Sequence, residues 1–267
     1  MAQPNAKPGV ASRKLELRLI ALDGVPLVQE GDDLAAIVLA ALQRSGETLQ
    51  SGDVLVLAQK IVSKATGCHV DLASVTPSPR ALELAGVVQK DPRIIELVLR
   101  ESKEVLRARR DVIVVEHRLG FVMANAGIDF SNVEGNAEES RALLLPRDPD
   151  AECRNLREAL RRPTNADVAV IINDSHGRAW RNGTVGVAIG AAGLPALLDL
   201  RGKPDLFGRT LRITQVGLAD ELAAAASLLM GQSDEGTPIV LIRGHVSATH
   251  EGCAADLIRP KDMDLFR

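Results

Sequence analysis

Residues 168–184 read VAVIINDSHGRAWRNGT. The first five are apolar and mostly β-branched, the pattern of a strand buried on both faces. Asn173, Asp174 and Ser175 follow without a break. A buried strand delivers its last residues to the edge of its sheet, where sites in open α/β sheets gather. A carboxylate followed by a hydroxyl there offers hard oxygen ligands to Mg2+ or Mn2+. The same Asp-Ser pair is also an ordinary turn. Three more short apolar runs of this kind, DVLVLA at 53–58, VIVV at 112–115 and PIVLI at 238–242, alternate with helical stretches. The class is therefore mixed α/β.

The segments between them fill in this frame. LELRLI at 15–20 alternates apolar and polar residues and predicts a strand. In GDDLAAIVLAALQRSG, Leu34, Ile37, Val38, Ala41 and Leu42 fall on one helical stripe, with Asp32 or Asp33 as N-cap and Gly46 as a stop. QKIVSKATG reads as a polar, basic loop. Residues 79–108 predict two helices broken at Asp91-Pro92, and 122–136 a loop. A short charged helix is expected up to Pro163, a strand at 211–216 and an Ala-rich helix at 218–230 closed by Gly231. Gly183, Gly186, Gly190 and Gly193 do not fit GxGxxG, so close packing of small residues explains them better than a phosphate loop. Several connections lack a clean helix, which argues against a parallel Rossmann sheet.

Composition narrows the partners. The chain of 267 residues holds 32 Lys+Arg against 35 Asp+Glu, a formal charge of −3 that gives no electrostatic pull toward nucleic acid or an anionic membrane. With 4 Phe, 1 Trp and no Tyr it has few platforms for stacked bases. At 46% apolar and 25% charged it is a folding, not a disordered, composition. Cys68, Cys153 and Cys253 are scattered and form no CxxC, which fits reduced thiols and a cytoplasmic setting. The first residues lack the apolar core of a signal peptide, and no run approaches the ~20 apolar residues of a membrane span. Residues 1–14 are expected to be a loose tail, and 15–267 a single domain with room for two subdomains.

Three further stretches carry chemistry. AGIDFSNVEGN places Asp129, Asn132 and Glu134 on one loop, and Asp129 suits a second cation-binding carboxylate. Lys60 and Lys64 lie four apart behind a buried strand, where an ammonium can neutralise phosphate oxygens. No GxxxxGK[ST] is present, so this is not a P-loop. Arg178 and Arg181 flank Trp180, the only tryptophan, and arginine forks bind carboxylate or phosphate bidentately. Each stretch alone also reads as a solvated turn or surface pair. Together they suggest metal-assisted chemistry on a phosphorylated substrate.

At these residues the chain resembles a known family. AGIDFSNVEGN, INDSHGRAWRNGT, GAAGL, MGQSDEG and PIVLIRG are similar to the coenzyme F420-0:γ-glutamyl ligases, and GDDL, QKIVSK and EHRLG agree with the same pattern, from about residue 15 to 266. The resemblance implies a mixed α/β (α+β) fold peculiar to that family, neither P-loop nor Rossmann, in an intertwined homodimer. It implies GTP-dependent ligation of L-glutamate to the lactyl carboxylate of coenzyme F420-0, then γ-linked addition of further glutamate. It implies Mg2+ or Mn2+, two ions to a site, with K+ as a helper. Carried over by motif, Asp129, Asp174, Ser175 and Gln232 would be metal ligands. Lys60 and Lys64 would approach the GTP phosphates, Asn132 would touch the nucleotide, and Val25, Pro26, Leu27 and Val28 would pass along it. Gln59 and Gly231 complete the expected nucleotide contacts, and the stretch 228–235 would close over it. Arg178 and Arg181 are assigned to the substrate's phosphate or carboxylates. Gln59 and Asn173 depart from the Ser and Thr common in relatives, and both keep a hydrogen-bonding side chain.

Two other classes remain open on the residues: a metal-dependent phosphohydrolase acting on a nucleotide or phosphoester, and a nucleotide-binding module without catalysis.

Overall fold

The computed structural model describes residues 16–129, 141–244 and 251–265. Its main sheet has the order β1-β12-β2-β8-β9. The strands are β1 (Arg18–Ala21), β2 (Val54–Ala58), β8 (Ala169–Arg178), β9 (Arg181–Ala192) and β12 (Ile239–Arg243). Only β2 and β8 run parallel; every other pairing is antiparallel. The class is mixed α/β, as the alternation predicts, and the sheet is not the parallel one of a Rossmann domain.

Alternation along these strands gives the sheet two apolar faces. Leu55, Leu57, Val170, Ile172, Ile239 and Leu241 pack on one side under α1 (Leu34–Arg44) and α5 (Pro149–Thr164). Val54, Val56, Ala169, Ile171, Val240 and Ile242 pack on the other under α6 (Leu218–Met230). Strands covered on both faces read as unbroken apolar runs, which is why VLVL, VAVII and PIVLI stand out in the sequence. In α1 the Asp33 carboxylate caps the helix by accepting from the Ala35 and Ala36 N–H groups, and the chain turns away at Ser45 and Gly46. Gly186 and Gly190 lie where β9 meets its neighbours: a Cβ at 186 would come within 2.6 Å of the Ala223 carbonyl, and at 190 within 2.6 Å of the Pro149 carbonyl. Close packing is thus the role of these glycines.

A second layer joins α3 (Pro79–Val88) and α4 (Pro92–Arg100) to the sheet β4-β5-β6, formed by Ser102–Arg109, Val112–His117 and Val122–Ala124. Short pairs complete the topology: β3 (His69–Asp71) with β7 (Arg141–Leu143), and β10 (Leu197–Asp199) with β11 (Gln215–Gly217).

Several expectations need correction. QKIVSK is not a loop but helix α2 (Gln59–Ala65), because Ile61 and Val62 reach the core under α1. The second predicted helix stops at Arg100, and the rest of it is strand β4, paired with β5. The loop at 122–136 opens with strand β6, and the predicted strand at 211–216 is only Gln215–Gly217. The charged helix is α5, which passes Pro163 by one residue and buries Cys153, Leu156 and Leu160. Cys68, Cys153 and Cys253 are free thiols. Among the described residues no helix is long and apolar enough to cross a membrane.

Candidate functional site

The sheet topology gathers one edge. β2 and β8 are parallel and their pairing ends with Ala58 opposite Asn173, so the chain beyond each lies on the same side. β12 is antiparallel to β2 and therefore begins there, with the Ala58 N–H donating to the Pro238 carbonyl at 2.8 Å. β1 runs opposite to β12 and ends there too, and the Leu22 N–H donates to the Ile239 carbonyl at 2.9 Å. Four chain segments leave the core at one place and wall a cleft.

That cleft collects most residues singled out in the sequence. Val25, Pro26, Leu27 and Val28 line it from the segment after β1. Gln59, Lys60 and Lys64 line it from α2, where the spacing of four puts both lysines on one helix face. Asp174 and Ser175 line it from β8, and Gly231 and Gln232 from the turn after α6. The Ser175 hydroxyl donates to Gln232 Oε1 at 2.7 Å, tying the β8 edge to that turn. Gly231 has φ 70°, which lets the chain reverse at the end of α6.

Asp129 joins through a charge. Its Oδ2 lies 2.7 Å from Lys60 Nζ, with both side chains about 30% exposed. Its backbone is pinned by paired hydrogen bonds with Leu143 at 3.0 and 2.9 Å. Asp129 is thus held by a lysine that lines the same cleft as Asp174, a residue far from it in sequence. Among the described residues no group of three or more His, Cys, Asp or Glu side chains is arranged for a metal. The oxygens present are two carboxylates, a hydroxyl and an amide. This set fits Mg2+ or Mn2+ shared with a phosphate, since Mg2+ takes one or two carboxylates and completes its octahedron with phosphate and water.

Two of the cleft-lining side chains, Gln59 and Asn173, are tied into the fold. Gln59 is 3% exposed, and its Oε1 accepts from the Ser63 hydroxyl at 2.9 Å. Asn173 donates to Ser227 Oγ at 3.0 Å and to Met230 Sδ at 3.4 Å, fastening β8 to α6. Both residues therefore form part of the cleft wall from buried positions. His176 is buried beside Phe121, ring centroids 6.1 Å apart in an edge arrangement, with Nε2 3.2 Å from Asp174 Oδ2.

Arg178 and Arg181 are not in the cleft. β8 does not stop at Ile172 but continues to Arg178, and β9 begins at Arg181, so the pair sits opposite one another at a hairpin tip. Residues 177–184 are all exposed, and Arg178 donates to the Asn182 carbonyl at 3.0 Å. Trp180 is 89% exposed with φ 65°. A non-glycine residue there costs roughly 1–2 kcal/mol. Asn132 and Glu134 lie outside the described residues.

Sequence reasoning missed Gly236, Thr237 and Pro238, which close the cleft floor at the entrance to β12. Their place follows only once β12 is known to run antiparallel to β2. It also missed the Lys60–Asp129 pair, which joins segments that the sequence does not show to be neighbours.

Fold and site together define a mixed α/β protein with an oxygen-rich, lysine-lined cleft at the edge of its central sheet. The F420-0:Gamma-glutamyl ligase family model matches residues 24–244, and the chain belongs to that family. It is 48% identical over 253 residues to the coenzyme F420:L-glutamate ligase of Methanothermobacter thermautotrophicus, covering 94% of this chain and 99% of the relative. It is 46% identical to the protein of the same name from Methanopyrus kandleri, with 94% and 99% covered, and 39% identical to that from Methanocaldococcus jannaschii, with 95% and 98% covered.

Proposed function

We propose that this protein is a GTP-dependent ligase that joins L-glutamate to the lactyl carboxylate of coenzyme F420-0 and then adds further glutamate through a γ linkage. The observation that carries the reading is the meeting of Lys60, Lys64, Asp174, Ser175 and Gln232 in one cleft, with Asp129 held on Lys60. Near-full-length similarity to proteins named coenzyme F420:L-glutamate ligase supplies the substrates.

A free carboxylate does not accept an amine, because its leaving group would be oxide. In the proposed reaction the acceptor carboxylate oxygen attacks the γ-phosphorus of GTP, and GDP leaves. The glutamate ammonium loses a proton, its amine nitrogen attacks the acyl carbon, phosphate leaves, and the nitrogen gives up a second proton to become the amide. Phosphoryl transfer of this kind asks for positioning and charge neutralisation more than for a protein nucleophile. Lys60 and Lys64 place two positive charges four residues apart where the β- and γ-phosphates would lie. Asp129, Asp174, Ser175 and Gln232 would hold Mg2+ or Mn2+, which when bound neutralises phosphate oxygens. The ion pair with Lys60 ties the Asp129 carboxylate to a residue that lines the cleft. The Ser175–Gln232 hydrogen bond sets the position of the turn at 231–233 over the site. Residues 25–28 follow β1 along the opposite wall and offer backbone groups to the nucleotide. A homodimer and a cytoplasmic setting belong to the same reading, the first tested by sedimentation equilibrium.

Phosphate release with and without L-glutamate tests the proposal. A ligase releases phosphate only when glutamate and F420-0 are both present. Release that is indifferent to glutamate identifies a phosphohydrolase instead.

A further inference from the structure

The hairpin tip beyond the cleft has no role in holding the nucleotide, yet it is built at a cost. Trp180 is the only tryptophan of the chain, it is 89% exposed, and it occupies a left-handed turn position at φ 65° that glycine or asparagine usually fills. Among the described residues the ring packs on no core cluster. Arg178 and Arg181 stand on either side of it, directly opposite one another across the hairpin. The tip is continuous with the site, since Asp174, Ser175 and Arg178 belong to one strand. At ~3.3 Å per residue, Arg178 lies roughly 13 Å beyond Asp174 along it.

We infer that Arg178, Trp180 and Arg181 form the acceptor subsite, in which Trp180 stacks on the planar heteroaromatic ring of the acceptor and the arginines hold its phosphodiester. The inference rests on the ligase reading and adds to it the place and means of acceptor recognition. An exposed, strained tryptophan between two guanidinium groups suits a ligand with a flat π-face and a nearby anion. The strand then sets the distance from that ring to the phosphate-facing acids, so an extended acceptor reaches the cleft with its terminal carboxylate. A nucleotide alone does not need this reach.

With one Trp and no Tyr, the intrinsic emission of the whole protein reports on Trp180 alone. The experiment titrates the full-length enzyme with coenzyme F420-0, without GTP or glutamate, and follows emission, acrylamide accessibility and heat of binding together. The expected result is a red, solvent-exposed emission in the free enzyme, with saturable quenching and loss of acrylamide access as heat is released. Trp180→Gly, which suits the left-handed turn and keeps the thermal midpoint, is expected to raise the KM for F420-0 about tenfold, the scale of one lost aromatic stack, and to leave the KM for GTP unchanged. Trp180→Phe is expected to restore most of the loss. Heat of binding with no change at Trp180 overturns the subsite and spares the ligase reading. Absence of any F420-0 binding, together with absence of glutamyl product, overturns both. An emission that is blue-shifted and dependent on protein concentration in the free enzyme also overturns the subsite, because a second copy then covers the ring.

Discussion

Asp174 shows how much a single side chain depends on its strand. It is the second residue after the VAVII run, and its side chain is 15% exposed at the cleft wall. Asn173 on one side is locked to α6 and His176 is buried against Phe121, so Asp174 cannot swing freely. Asp174→Asn keeps the shape and removes the charge. It is expected to leave the fold and metal-free nucleotide affinity intact while lowering kcat by about a hundredfold or more, as loss of one preorganised charge at a phosphoryl-transfer site does. Steady-state phosphate release in the presence of glutamate, with the Mn2+ concentration varied, checks this. Asp174 was legible in the sequence because the apolar run marks the stretch where β8 is paired with β2, although β8 itself runs on to Arg178. The Lys60–Asp129 contact was not, because nothing local ties α2 to the segment that bridges to Leu143.

At the scale of elements, short length and tertiary override explain the misreadings. α2 spans two turns at most, too few for a periodic stripe to appear in QKIVSK, although its buried Ile61 and Val62 and cleft-facing Lys60 and Lys64 are an amphipathic pattern once seen. β4 is rich in helix-favouring Lys, Glu, Leu and Arg, and is a strand because Asp111, at φ 68°, turns the chain back to pair it with β5. The α3–α4 break was legible from Asp91-Pro92, and there the fold adds a pH-sensitive tie. Glu96 of α4 accepts from the Ser78 N–H at 2.9 Å and from Arg100 at 2.9 Å. The hydrogen bonding from Ser78, then Arg100, holds its carboxyl below the ordinary value. A lowered carboxyl contributes stability that is present above the unfolded pKa of ~4.3 and is lost as pH falls through the folded value. Acid titration of thermal stability is therefore expected to show a loss below about pH 4.5 that is blunted in Glu96→Gln, which is itself about 1.5 kcal/mol less stable at pH 7. Equal pH slopes for the two proteins contradict the assignment.

The whole molecule is a sheet whose two ends do different work. At the cleft end, Lys60, Asp174 and Ser175 follow the last residues paired between β2 and β8. At the opposite end Arg243 of β12 clamps the sheet shut, donating to both Asp53 oxygens at 2.9 and 2.7 Å, to Glu47 at 2.8 Å and to the Thr48 carbonyl at 2.7 Å. Asp53 is 2% exposed, so removing its partner strands a buried charge. Arg243→Met is expected to cost about 3–5 kcal/mol in urea unfolding with the KM values of the surviving folded enzyme unchanged. The same division explains the edge strand β9, whose Ala188 and Ala191 N–H groups are taken up by Asp220 and Asp150 at 2.9 and 2.8 Å instead of being offered to another chain. Neither tie could be read from composition or spacing, since each joins residues that only the finished topology makes neighbours.

The proposed chemistry as a whole is tested most directly by mass spectrometry of coenzyme F420-0 after incubation with the enzyme, GTP, Mn2+ and L-glutamate. The expected products are F420-0 carrying whole glutamyl units, formed with an equal release of phosphate and absent with Asp174→Asn. Unmodified F420-0 beside GTP hydrolysed at the same rate without glutamate contradicts the account.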